Sequence, residues 1–214
     1  GTIFMLKQAK KEGLKTMLKP HVWVMGQGWC GQFDLKTESD WQIWERDYAK
    51  YILSNAKIAE QNNVDILCIG TEYKIAATKR VIFWKALIKA VRKIYSGKVT
   101  YAANWDNYTN IKFWGQLDYI GVDAYFPLSK TKNVEFNVLS EHWKKITKKL
   151  EAFSKKQNKK IVFVIYDNKP NMVEIALGNK EGDIFSSSQY ALNELSVSVV
   201  VGIMEMNFFA ESTS

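Results

Sequence analysis

Val64-Asp-Ile-Leu-Cys-Ile-Gly-Thr-Glu-Tyr73 passes from apolar to acidic within one short stretch. Its first seven residues, to Gly70, form a short apolar run typical of a strand buried on both faces. Its end sets Glu72 and the aromatic Tyr73 just past that strand. Doubly buried strands belong to parallel sheets covered by helices, so the segments on either side should be helical.

They read that way. Asp40 to Asn62 has Trp44, Tyr48, Tyr51, Ile52 and Ala59 at mostly helical spacing, with Ser39 or Asp40 as N-cap. Thr78 to Tyr95 is the next helix, with Ile82, Leu87, Val91 and Ile94 expected inward and Gly97 as its stop. Further out the alternation repeats. Strands are expected at Leu14 to Val24, Lys98 to Ala103, Leu117 to Val122, Lys160 to Tyr166 and Ser196 to Met204. Helices are expected at Ile111 to Gly115, Val134 to Lys156 and Ser187 to Leu195, and Gly1 to Glu12 reads as the end of another.

About six parallel strands alternating with helices leave two α/β architectures, an open doubly wound sheet or a barrel. The open sheet that binds a nucleotide carries a Gly-rich turn after an early strand. No such sequence occurs, and Gly26, Gly28 and Gly31 are wrongly spaced for it. Polar and aromatic residues cluster after nearly every strand, as they do at the working rim of a barrel. The expectation is an incomplete TIM (β/α)8 barrel, with two further βα units upstream of Gly1.

Composition narrows the function. The chain has 214 residues, 47% hydrophobic and 24% charged, which excludes wholesale disorder. No apolar run reaches the ~18 residues of a membrane-spanning helix, so no membrane partner is expected. The net charge of +8 raises the question of nucleic acid, but only Arg46, Arg80 and Arg92 offer bidentate phosphate contacts. No nucleic-acid partner is expected. Cys30 and Cys68 lack metal-ligand spacing, and with two histidines no zinc site and no metal is expected. Aromatics reach 14%, and tryptophans beside polar residues suit the C–H faces of sugar rings. Nothing in the chain identifies a cellular location.

The strand ends hold the candidate chemistry: Lys19, Pro20, His21 and Trp23; Gly70-Thr-Glu-Tyr73; Asn104-Trp-Asp-Asn107; and Asp123-Ala-Tyr-Phe-Pro127. Glu72 is the leading candidate. A carboxylate ending a buried strand is partly desolvated, which favours the protonated form that a general acid needs. Its competing roles are a helix N-cap or a rim ion pair with a lysine. His21 suits a sugar hydroxyl or the orientation of a carboxylate, or is simply a satisfied histidine. Asn104 suits a hydroxyl, and Trp105 suits either ring stacking or rim packing. Asp123 and Tyr125 suit substrate contact, with loop capping as the alternative for Asp123. His142 receives no role.

Four segments together resemble glycoside hydrolase family 113, endo-β-1,4-mannanases of a retaining (β/α)8 clan. They are Leu18-Lys-Pro-His-Val-Trp-Val24, Ile69-Gly-Thr-Glu-Tyr73, Tyr101-Ala-Ala-Asn-Trp-Asp-Asn107 and Tyr119-Ile-Gly-Val-Asp-Ala-Tyr-Phe-Pro-Leu128. The resemblance spans roughly residues 1–163. It implies that Glu72 is the acid/base, and that His21, Trp23, Asn104, Trp105, Asp123 and Tyr125 line the sugar cleft. It also implies an oligosaccharide or polysaccharide substrate, no cofactor and a monomer. Residues 1–214 then form a single partial glycosidase-like barrel domain, with 164–214 as its divergent C-terminal part.

The departure lies on strand seven, Ile161-Val-Phe-Val-Ile-Tyr-Asp-Asn168, where the family's nucleophilic glutamate position holds Ile165. Asp167, two residues on and so on the same strand face, is the substitute candidate, shorter and displaced by ~6–7 Å. Glu205 is a more remote one. The last strand, Gly202-Ile-Met-Glu-Met206, lacks the tryptophan-rich end of the family. A reading-frame change near Val164 is expected to account for both departures. The coding DNA tests this, because family-like residues should then appear in another frame.

Overall fold

The computed structural model describes residues 1–24, 28–129, 131, 134–164, 198–199 and 202–209. Its elements alternate as helix α1 (Thr2–Lys11), strand β1 (Met17–Val24), α2 (Glu38–Gln61), β2 (Ile66–Thr71), α3 (Lys74–Lys79), α4 (Val81–Arg92), β3 (Lys98–Asn104), β4 (Ile120–Asp123), α5 (Phe136–Gln157) and β5 (Ile161–Phe163). A short strand β6 (Ser198–Val199) and an eight-residue strand β7 (Gly202–Phe209) follow. The strands form one parallel sheet in the order β6-β5-β4-β3-β2-β1-β7. The expected helix Ser187 to Leu195, Ile165 and Asp167 lie outside the described residues.

Three observations show that the sheet curls on itself. Alternate strand residues feed two separate apolar clusters. Leu18, Leu67, Ile69, Val99, Tyr101, Ile120, Val122, Ile161 and Phe163 pack with the helices. Met17, Ile66, Cys68, Ala102, Val162 and Val164 form a second cluster of sheet residues, with Tyr119 against it. Next, the Lys19 ammonium on β1 lies 3.0 Å from Asp123 on β4. In a flat sheet strands three places apart would stand ~14 Å from each other, at ~4.8 Å per step. Finally, Val199 pairs with Phe163 on β5 and Gly202 pairs with Met17 on β1. Three peptide steps span no more than about 11 Å, whereas β6 and β7, the two ends of the strand order, would stand ~29 Å apart in a flat sheet at ~4.8 Å per step. Helices outside and a packed interior define a (β/α) barrel architecture, here in part.

The helices form where the sequence places them, with informative shifts. α2 starts at Glu38, and Thr37 is its cap, accepting from the Asp40 N–H at 3.1 Å. This replaces the expected Ser39 or Asp40. Asp40 instead sits in the first turn, where its charge complements the helix dipole. Residues 74–79 form a separate helix that the sequence did not announce. The break falls at Arg80, whose backbone (φ −108°, ψ 41°) is not helical. No glycine or proline marks it. Arg80 is pinned from outside, by Glu38 at 2.7 Å, by Glu45 at 2.5 Å and by the face of Trp41. The restart at Val81 sets the phase of α4, which buries Trp84, Leu87, Ile88 and Val91. Ile82, expected inward, is 87% exposed. The helix expected at Ile111 to Gly115 is two 3-10 turns, Tyr108–Asn110 and Trp114–Gln116.

Much of the aromatic excess packs behind the sheet. Trp44 stacks on Tyr48 at 4.8 Å, and Trp84 stacks on Phe113 at 5.7 Å. Tyr101 meets Trp84 edge-on at 5.2 Å. Trp84 is fully buried. Trp84→Ala should therefore cost about 3–5 kcal/mol in urea unfolding. Ile82→Ala should stay within about 0.5 kcal/mol of the parent. Equal losses for the two would contradict this helix phase.

Candidate active site

Strands β1 to β4 end at one rim, and each delivers a polar side chain there. The most deeply set group is the ion pair of Lys19 and Asp123, exposed by only 5% and 2%. Lys19 Nζ donates to Asp123 Oδ1 at 3.0 Å and Oδ2 at 3.3 Å, and to the Val164 carbonyl at 2.8 Å. These three bonds use all the ammonium's hydrogens. Burial pushes the Asp123 carboxyl up to about 7; the Lys19 charge opposes this, and the Glu72 charge adds to it. Asp123 does not cap its loop through its side chain; the Tyr125 N–H instead bonds the Asp123 carbonyl at 3.0 Å.

Glu72 reaches this position by an irregular route. The pairing of β2 with β3 shifts register between Cys68 and Thr71. Gly70 lies within this bulge. A Cβ there would stand 2.7 Å from Trp84 and 2.9 Å from Tyr101, so only glycine lets the strand pass. Glu72 follows with φ +53°, left-handed for a residue with a side chain. Such backbone costs on the order of 1–2 kcal/mol and persists only where its surroundings hold it. Here the Glu72 N–H bonds the Ala102 carbonyl at 2.8 Å, and its own carbonyl accepts from Lys74 at 2.7 Å. The N-cap of α3 is Tyr73, without a side-chain bond, so Glu72 is not spent on capping. Bulges of this kind re-aim a side chain at a strand end.

Two neighbours of Glu72 escaped the sequence reading. The Trp29 indole N–H donates to Glu72 Oε2 at 2.5 Å. Its ring lies over Gly31, where a Cβ would come within 2.3 Å of it. Cys30 is half-buried, and its thiol donates to the Thr71 carbonyl at 3.5 Å. Burial pushes that thiol up to about 12, and the charges of Glu72 and Asp123 add to this. The signal was the Gly28-Trp-Cys-Gly31 run, which was weighed only as a phosphate loop. Lys19 was visible in the rim cluster but received no role.

The other candidates spread around the same rim. His21 is half-buried beside Lys19, and its imidazole is lowered to about 4, first by burial and then by the Lys19 charge. It is neutral at pH 7. Asn104 is the register partner of Asp123, and its amide donates to Asp106 Oδ1 at 3.0 Å. Asp106 is held in turn by Lys74 at 2.6 Å. Trp105 is half-buried and packs on Phe126 at 5.9 Å. Tyr125 is half-buried on the loop after β4. The Trp23 side chain and Asp167 lie outside what the structure describes. Among the described residues no three His, Cys, Asp or Glu side chains group as metal ligands, and no helix is long and apolar enough to cross a membrane.

An acidic residue re-aimed by a bulge and backed by a buried ion pair stands at the C-terminal ends of the strands, where barrel enzymes carry their active sites. The family model of Glycoside Hydrolase Family 113 matches residues 2–167, and the chain belongs to that family. Solved structures agree. A GH113 beta-1,4-mannanase captured in a complex is 27% identical with a TM-score of 0.69, covering 96% of this chain and 66% of that one. A second GH113 beta-1,4-mannanase structure gives 26% and 0.69 over the same shares. The GH113 beta-mannanase AaManA from Alicyclobacillus acidocaldarius, in complex with ManMIm, gives 26% and 0.66, covering 75% of this chain and 49% of that one. The chain thus spans 49% to 66% of the length of these relatives. Curated proteins gave no match.

The shifts of His21 and Asp123 oppose each other. His21 is lowered from 6.5 to about 4, so its stabilisation is complete above pH 6.5 and is lost as pH falls through 4. Asp123 is raised from 3.8 to about 7, so its contribution is complete below 3.8 and is lost as pH rises through 7. Between pH 4 and 6.5 the two slopes largely cancel. His21→Gln removes one of them. Its Tm relative to the parent should therefore rise on going from pH 7 to pH 5. Parallel Tm curves for the two proteins would show that no neutral buried imidazole is present.

Proposed function

We propose that this chain is a glycoside hydrolase-type domain for β-1,4-linked mannan or related β-glycans, built for the retaining mechanism with Glu72 as acid/base. The observation that carries the reading is the placement of Glu72 after a bulged strand, on left-handed backbone, facing Trp29 and Asp123 at the rim. Membership of family 113 supports the substrate class. His21, Trp23, Asn104, Trp105 and Tyr125 are the proposed sugar-contacting residues.

In the proposed reaction protonated Glu72 gives its proton to the leaving glycosidic oxygen while a carboxylate attacks C1. The glycosyl ester is then hydrolysed by a water whose proton returns to Glu72. The two carboxyls must stand ~5–5.5 Å apart. Asp167 is the proposed attacking group, but it is shorter than glutamate and two positions further along the strand. Turnover should accordingly be weak or absent, while the rim retains sugar binding.

Installing the missing carboxylate tests both halves of this reading. Ile165→Glu should gain reducing-sugar release from β-1,4-mannan over the parent chain. Adding Glu72→Gln should remove that gain by about 10²–10⁴-fold, the usual worth of general acid–base catalysis. Saturable manno-oligosaccharide binding without turnover in Ile165→Glu would favour a non-catalytic carbohydrate-binding barrel. Release that survives Glu72→Gln would remove Glu72 from the mechanism.

A further inference from the structure

The turn after β1 meets the segment around Glu72 residue by residue. The Trp29 indole N–H donates to Glu72 Oε2 at 2.5 Å. The Cys30 thiol donates to the carbonyl of Thr71, one residue earlier, at 3.5 Å. Phe33 meets Tyr73, one residue later, edge-on with ring centroids 6.4 Å apart. One short turn thus grips Thr71, Glu72 and Tyr73 in succession. The turn is itself fixed from outside. Phe33 packs on Trp41 at 5.6 Å and on Trp44 at 5.3 Å. Asp34 accepts from the Lys79 ammonium of α3 at 2.6 and 2.9 Å. Gly31 is buried under the Trp29 indole, and a Cβ there would stand 2.3 Å from the ring.

We propose that Trp29 is a positioning residue for Glu72, held by this turn so that its N–H fixes Oε2 as an acceptor and leaves Oε1 as the oxygen that carries the proton. The inference rests on the reading of Glu72 as acid/base. An indole N–H can only donate. In a protonated carboxyl the C=O oxygen is the better acceptor, so the oxygen facing Trp29 is the one without the proton. The proton leaves Oε1 for the glycosidic oxygen, and the water that completes the second step returns one to Oε1. Protons therefore balance over the cycle. The bond to Oε2 persists throughout. It is strongest while Glu72 is a carboxylate, because hydrogen bonds to ionised acceptors are roughly twice as strong as neutral ones. Glu72 needs such a guide. Its side chain is only half-buried, so packing alone does not lock it, and an acid group has to be held by its neighbours to act at one point.

The charged and titratable groups nearby are engaged elsewhere. The Lys74 N–H serves the Glu72 carbonyl at 2.7 Å, and the Lys74 ammonium is taken by Asp106 at 2.6 Å. Lys19 spends its three hydrogens on Asp123 and the Val164 carbonyl. The Cys30 thiol, pushed up to about 12 by burial, is uncharged. Two groups change charge in or near the range of a carboxyl titration. They are His21, lowered to about 4 by burial, and Asp123, raised to about 7 by burial.

The test is a titration of the tryptophan indoles by nuclear magnetic resonance. It needs no sugar, so it stands or falls apart from the mannan assay. The whole chain is labelled with 15N at its indoles, and the Trp29 signal is identified by its loss in Trp29→Phe. In the parent the Trp29 indole proton should move with pH as Glu72 gains or loses its proton. In Glu72→Gln a neutral amide oxygen replaces the carboxyl, and that movement should be lost. At low pH the parent signal should approach the position it holds in Glu72→Gln. The movement should survive His21→Gln. It should also survive Lys19→Met/Asp123→Leu, which removes the buried pair together and leaves no charge unpaired. Gly31→Ala alters neither partner, but its Cβ has to push the indole aside. It should lose most of the movement while near-ultraviolet circular dichroism shows the aromatic core intact. A Trp29 signal that ignores pH in the parent, or moves alike in parent and Glu72→Gln, overturns the proposal. So does a movement undiminished in folded Gly31→Ala. If mannan release survives Glu72→Gln while the indole still follows Glu72, the acid/base reading fails and the Trp29 pairing stands.

Discussion

The Lys19–Asp123 ion pair is the constraint on which the site depends. It joins β1 to β4 and, through the Val164 carbonyl, to the end of β5. Those strands are not neighbours in the sheet order, so the pair forms only when the sheet is curved. Taking two charges out of water costs several kcal/mol per ion, and removing one partner from such a pair typically costs about 3–5 kcal/mol. An apolar pair of similar volume would serve stability at least as well.

The scaffold around it separates two tasks that one apolar composition has to serve. Outward-facing strand residues and the helices share the larger apolar cluster, with Trp84 among its aromatics. The inward face is lined low down by apolar residues, Met17, Ile66, Cys68, Ala102 and Val162. Higher up it turns polar, with Lys19, Asp123 and then Glu72. The bulge in β2 lies at this transition. It strains the backbone at Glu72, and the tightly packed Trp84 and Tyr101 behind Gly70 keep that strain from relaxing.

Two features bear on the chemistry of Glu72. Trp29 occupies one of its oxygens, so a substrate has to share or replace that indole bond. His21 stands uncharged beside a buried ammonium, which leaves Lys19 as the cation compensating Asp123.

The sequence by itself determined the alternation of strands and helices, because a doubly buried strand such as Ile66–Thr71 and an amphipathic helix such as Glu38–Gln61 are written in local periodicity. It also marked the rim, because Glu72, Asn104 and Asp123 each follow directly on an apolar run. It misjudged Ile82, since the phase of α4 is set by Arg80, whose partners Glu38 and Glu45 lie far back in the chain. Only the tertiary structure decided that Asp123 faces Lys19 and Glu72, and that Trp29 reaches the same carboxylate. The physical reason is separation. Lys19 and Asp123 are 104 residues apart, and Trp29 and Glu72 are 43 apart. Contacts closed across a curved sheet leave no period in the sequence, whereas the burial that forms each strand and helix does.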